Sequence, residues 1–94
     1  MYRSAHAVAL VLLFSGSIQA QYNGPESVEY DSVGDRYFES NTQSQTIKAR
    51  AQDGTVSTFA NVGAAPYGLE IMADTLHACV GGRVKGYALA DASQ

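Results

Sequence analysis

A degenerate repeat constrains this chain more than any other feature. Residues 24–41 read GPESVEYDSVGDRYFESN, and about forty residues later APYGLEIMADTLHACVGGR follows the same outline. Pro66 stands against Pro25, Glu70 against Glu29 and Asp74 against Asp35, so the offset drifts only from 41 to 39. Further on, Val84 answers Ile47 at an offset of 37, because the second copy has lost residues from its turns, where deletion is tolerated. Self-similarity at this period marks one supersecondary unit built twice, and such units bury their apolar faces by stacking on one another.

The first residues stand outside the repeat. Met1-Tyr2-Arg3 is a short basic start, Ala7 to Phe14 (AVALVLLF) is apolar, and Ser15 to Ala20 is a polar stretch ending in a small residue. This resembles a secretory signal peptide over residues 1–20 with cleavage after Ala20, although Ile18 stands where a small residue is usual. An apolar run this short falls well below the ~20 residues of a membrane-spanning helix. The expectation is a protein that is secreted or periplasmic and leaves the membrane once the signal is removed; the competing reading is a buried N-terminal helix or strand.

Residues 21–94 then carry 5 basic and 9 acidic residues, a net charge of about −4. No basic stripe is present to neutralise phosphates, so nucleic acid is not an expected partner. Lys48, Arg50, Arg83 and Lys85 form two alternating pairs that read as solvated strand faces. Cys79 is the only cysteine, so no internal disulfide can staple a small exported domain. Lying in the apolar run LHACV, it is expected to be buried as a small hydrophobe.

Strand and turn signals alternate along the rest. Ser27 to Asp31, Arg36 to Ser40, Thr46 to Ala51 and Thr55 to Phe59 form a first set, with turns at Ser32 to Asp35 and Asp53-Gly54 and a polar link at Asn41 to Gln45. After a link of small residues, Asn61 to Ala65, the set restarts at Pro66. Gly68 to Ile71, Thr75 to Val80 and Arg83 to Leu89 follow, joined at Met72 to Asp74 and Gly81-Gly82, and no fourth strand follows Leu89. The expected fold is all-β: a partial β-propeller of about two four-stranded antiparallel blades, the first at residues 25–60 and the second, incomplete, at residues 66–94. A propeller closes with about four to eight blades. The chain therefore reads as an N-terminal part whose apolar faces at Val28, Tyr30, Leu69, Ile71, Leu76 and Val80 wait for further blades or for self-association. A self-sufficient small β domain is the alternative.

The segments PESVEYDSVGDRYFESN, DGTVSTFA, APYGLEI and DTLHACVGGRVKGYAL, covering Pro25 to Leu89, resemble the regucalcin/gluconolactonase-like superfamily of six-bladed propellers and its NHL-repeat neighbours. The resemblance implies architecture more than activity, since these propellers include lactonases, other hydrolases and binding proteins. In the enzymes a divalent ion, often calcium, is held in the central channel by a Glu near the start of the first blade and by Asn and Asp of later ones. Aligning that motif with Glu26-Ser27-Val28-Glu29-Tyr30-Asp31 places Glu26 on the metal-binding Glu, with Ser27, Val28 and Tyr30 departing from the family's Gly, Pro and Trp. Calcium takes 6–8 oxygen ligands, so Glu26 alone makes no site, and an exposed acid at a strand start is the other reading.

The remaining residues suggest structural roles. Asp31, Asp35 and Asp53 flank turns, where Asp bonds its own backbone. His77 has no second His or Cys at ligand spacing, and no G-x-S-x-G elbow is present. Two function classes follow: an exported platform that binds a small molecule or protein, or, once further blades complete the channel, a metal-dependent lactonase-like hydrolase. A truncated product without activity of its own is a third reading.

Overall fold

The structure, a computed structural model, describes residues 22–94; the expected signal peptide lies outside the described residues. Seven strands are present: β1 (Pro25–Asp31), β2 (Arg36–Asn41), β3 (Thr46–Ala51), β4 (Val56–Asn61), β5 (Pro66–Met72), β6 (Thr75–Val80) and β7 (Arg83–Ala88). They form two antiparallel sheets, a four-stranded sheet A in the order β1-β2-β3-β4 and a three-stranded sheet B in the order β5-β6-β7. The all-β expectation holds among the described residues, and each strand falls within a few residues of its predicted bounds.

Turn chemistry explains why the strands begin and end where they do. Between β6 and β7 only Gly81-Gly82 intervene, at φ of 58° and 78°, the two left-handed positions that a tight primed turn requires and glycine supplies at least cost. Between β1 and β2, buried Asp31 accepts the N–H groups of Val33 and Gly34, each at 3.1 Å, and receives the Arg36 guanidinium at 2.9 Å. After β3, the Asp53 carboxylate accepts the Thr55 N–H at 2.9 Å. Asp35 departs from expectation: it receives the side chains of Tyr30 and Gln52 across the hairpin, at 2.7 and 2.8 Å.

The two repeats superimpose in register as well as in sequence. On sheet A, Glu29, Phe38 and Ala49 lie opposite one another; on sheet B, so do Glu70, His77 and Gly86. Likewise Ser40 faces Ile47 as Cys79 faces Val84. The offsets of 41, 39 and 37 between strand starts absorb the shorter turns of sheet B without changing which residue pairs with which.

Sheet B packs against sheet A chiefly through β5, which lies on β1 and β2. One apolar cluster joins them: Phe38, Ile47, Ala49 and Ala60 from sheet A, Leu69, Leu76, Ala78, Val80 and Tyr87 from sheet B, and Val62 from the link. Polar groups stitch the same interface. Ser27 Oγ accepts the Leu69 N–H and the Glu29 carboxylate accepts the Ile71 N–H, both at 3.3 Å; Ser40 Oγ donates to the Tyr67 carbonyl at 2.7 Å, and Arg36 Nη2 to the Leu89 carbonyl at 2.6 Å.

Expectations for the sheet B residues are corrected. Leu69, Leu76 and Val80 do not wait for another blade; they are buried against sheet A. Val28 and Tyr30, by contrast, are open as expected, 59% and 44% exposed on the outer face of sheet A, because the face that meets sheet B is the polar one carrying Ser27, Glu29 and Asp31. Cys79 is exposed: alternation along β6 sends Leu76, Ala78 and Val80 inward and His77 and Cys79 outward. Lys85 also differs from its predicted solvated role, donating to the Val62 carbonyl at 3.3 Å and so fastening the inter-sheet link.

Candidate functional site

Glu26 is the second residue of β1, exposed, at a bulge between Pro25 and Ser27. The strand alternation that would aim it is interrupted there, since a bulge inserts an unpaired residue. Nearby Asn41, the amide that pairs with Pro25 across the ladder, is fully engaged: its Oδ1 accepts the Asn23 N–H at 2.9 Å and its Nδ2 donates to the Glu39 carbonyl at 3.1 Å. No group of three or more His, Cys, Asp or Glu able to hold an ion exists among the described residues. Glu26 thus belongs to no such group among the described residues, whereas calcium takes about 6–8 oxygen ligands.

A different surface carries the most distinctive geometry. The outer face of sheet B is hollowed into an open groove of about 330 Å³ lined by Gly68, Glu70, Met72, His77, Cys79 and Val84, among others. Met72 and Val84 are 54% and 66% exposed. These six residues are the repeat equivalents of Ser27, Glu29, Asp31, Phe38, Ser40 and Ile47, which lie on the face of sheet A that sheet B covers; all but Asp31 bond to sheet B or join the shared core. The same structural face is thus covered once and open once.

Within the groove the chemistry is sparse. His77 and Cys79 share a face but stand two residues apart on one strand, a separation of about 7 Å that leaves no thiol–imidazole hydrogen bond. His77 Nδ1 is buried without a partner, so nothing orients the ring as a base. Glu70 is its cross-strand neighbour and the one charged side chain lining the groove. What the groove offers is apolar area with one carboxylate, the makings of a packing surface.

The outer face of sheet A is the counterpart of sheet B's buried face. Val28, Tyr30 and Tyr37 form its apolar part, with the two tyrosine rings 4.9 Å apart between centroids. Lys48 and Arg50 rise from β3 beside them, and Glu39 lies across from Lys48 on β2. Burial pushes the Glu39 carboxyl above the ordinary carboxylate range. Tyr22, from the lead that precedes β1, has its hydroxyl pushed up to about 12 by burial and by the Glu39 charge.

Sequence reasoning located Glu26, Glu70 and His77 but missed the groove. The signal was present: carrying the repeat alignment residue by residue onto sheet faces maps the interface residues of one unit onto the open residues of the next. No family model matches the chain, and no curated protein matches it.

Proposed function

We propose that sheets A and B are consecutive blades of a β-propeller and that the exported protein serves as a binding platform for a small-molecule or protein ligand. The observation that carries the reading is the inter-sheet geometry. The first strand of the second sheet, β5, lies along the first strand of the first sheet, β1, and donates its Leu69 and Ile71 N–H groups to Ser27 and Glu29. First strands side by side are what a channel lined by the innermost strand of each blade requires. Binding then falls to the loops at the strand ends, which a rigid sheet scaffold positions.

The regucalcin/gluconolactonase-like reading enters as architecture; its hydrolase branch would need several oxygen ligands to converge with Glu26 from outside the described residues. Thermal-shift screening of the protein against soluble sugars, lactones and extracellular peptides, each with and without calcium, tests the platform reading. Ligand-dependent stabilisation that is indifferent to calcium is expected. Calcium-dependent hydrolysis of a lactone, abolished by Glu26→Gln, would overturn it in favour of the enzyme.

A further inference from the structure

We infer that the groove on sheet B is a self-assembly surface: it receives the outer face of sheet A from a second copy of this chain, head to tail, continuing the stacking already present within the chain. The inference rests on the propeller reading for the order of the sheets and goes beyond it by naming what covers the open face.

Three observations point the same way. First, the groove is the structural repeat of an interface that exists: Gly68, Glu70, Met72, His77, Cys79 and Val84 occupy the register positions of Ser27, Glu29, Asp31, Phe38, Ser40 and Ile47 on the covered face of sheet A. Second, the outer face of sheet A repeats the face of sheet B that fills that interface. Val28, Tyr30 and Tyr37 stand where Leu69, Ile71 and Leu76 stand, and they are 59%, 44% and 41% exposed. Third, cations are at hand for the groove's carboxylate. Glu70 lines the groove, and Lys48 and Arg50 stand on the outer face of sheet A, beside Glu39 and, at the β1–β2 turn, Asp35.

The geometry of the existing interface also predicts the main polar contact. Glu29 accepts the Ile71 N–H; by repeat equivalence Glu70 accepts the Tyr30 N–H of the second copy. The substitutions along the groove make this interface weaker than the internal one. Gly68 has no hydroxyl to replace Ser27 Oγ, and Thr75 stands where Arg36 ties the sheets together. A heterologous contact of this kind yields rings when the rotation closes and filaments when it does not. Each chain adds two sheets, so a closed ring of about four to eight blades holds about two to four copies.

The test uses the full 94-residue chain and two surface variants. Val28→Asp places a charge on the outer face of sheet A, and Val84→Asp places one in the groove; both sites are more than half exposed, so the fold of a single chain is retained. Light scattering should give a concentration-dependent mass above one copy for wild type and one copy for each variant. Alkylation of Cys79, which sits in the groove, should slow about ten-fold in wild type as concentration rises and stay fast in both variants. Mixing the variants should restore a dimer, because Val28→Asp keeps an intact groove and Val84→Asp an intact outer face; a symmetric contact cannot do this. A wild type that stays monomeric, with Cys79 equally reactive at all concentrations, overturns the inference while leaving the propeller reading standing. Association that survives Val28→Asp overturns it too, by placing the contact elsewhere, for instance in the apolar N-terminal stretch.

Discussion

Sheets A and B share one strand register, yet corresponding residues live in different worlds. Phe38 is fully buried and its equivalent His77 half-exposed; Ile47 is fully buried and its equivalent Val84 is 66% exposed. Ser40 donates to a carbonyl of the neighbouring sheet, whereas Cys79 meets solvent. The difference teaches that burial in a repeat fold belongs to the interface, not to the unit: one face is a core because a neighbour covers it. The side chains have followed. Phe and Ile occupy the covered face, and His, Cys and Val occupy the open one.

The largest effect should come from truncating the covered member of a pair. Phe38→Ala removes a fully buried ring that packs on Phe59 at 4.6 Å between centroids, and should cost about 3–5 kcal/mol. His77→Ala at the equivalent site should change stability by no more than about 0.5 kcal/mol in the Val28→Asp background, where the groove stays open. Urea denaturation of both variants compares the faces directly. Equal losses would mean that the two faces are equally packed and would break the comparison.

Next comes the polar clamp that sheet B lacks. Asp31 is 3% exposed and bonds two turn N–H groups and Arg36, whose guanidinium also reaches the Leu89 carbonyl and lies 4.6 Å from the Phe38 ring centroid. Its equivalent, Met72, bonds nothing of the kind. Asp31→Ala should therefore cost about 2–3 kcal/mol, while Met72→Ala should stay within about 0.5 kcal/mol. Acid should erase the same contribution. Burial pushes the Asp31 carboxyl up, but the Gly34 N–H, the Arg36 guanidinium and the Val33 N–H together outweigh it and hold the group below the ordinary range. A pKa lower in the folded state means stability that is present above the unfolded value, about pH 4, and is lost as pH falls through the folded value. Glu39 works in the opposite sense, since burial raises it. Urea midpoints at pH 7, 5 and 3 should show the acid loss in wild type and a flatter profile in Asp31→Asn.

Strand order and turns were legible from sequence because alternation and Gly/Asp signals are local. Which face of each strand is covered was not. In β1 the covered face is Ser27, Glu29 and Asp31, so hydropathy points to the wrong side, toward Val28 and Tyr30. In β6 the alternation does put Cys79 on the face of His77, opposite Leu76, Ala78 and Val80, but the apolar run LHACV around it suggested burial instead. Glu26 was suggested by resemblance, and its environment depends on a bulge that the sequence does not announce. The groove was legible only in combination, as a repeat alignment applied to a known register.

The smallest of the three covered-face effects has the opposite sign and concerns a residue for which sheet A has no burial match. Tyr87 is 2% exposed on the covered face of sheet B, and its hydroxyl has no hydrogen-bond partner. Its equivalent, Arg50, stands half-buried on the outer face of sheet A, where a long side chain keeps its charge in water. An unsatisfied buried hydroxyl costs free energy that a ring of the same shape without it does not, so Tyr87→Phe should stabilise the protein by about 1 kcal/mol. Alkali supplies a second readout. Burial raises the Tyr87 pKa, so its share of stability is whole below the unfolded value near 10 and drains away as pH climbs from there toward the folded value. Tyr87→Phe should flatten that alkaline loss in part, leaving the share of Tyr22, which is also raised, to about 12. A loss of stability on removing the hydroxyl would reveal a bridging water in the interface between the sheets. The covered face of sheet B would then be wetter than its apolar lining indicates, and the contrast with sheet A's hydrogen-bonded face correspondingly weaker.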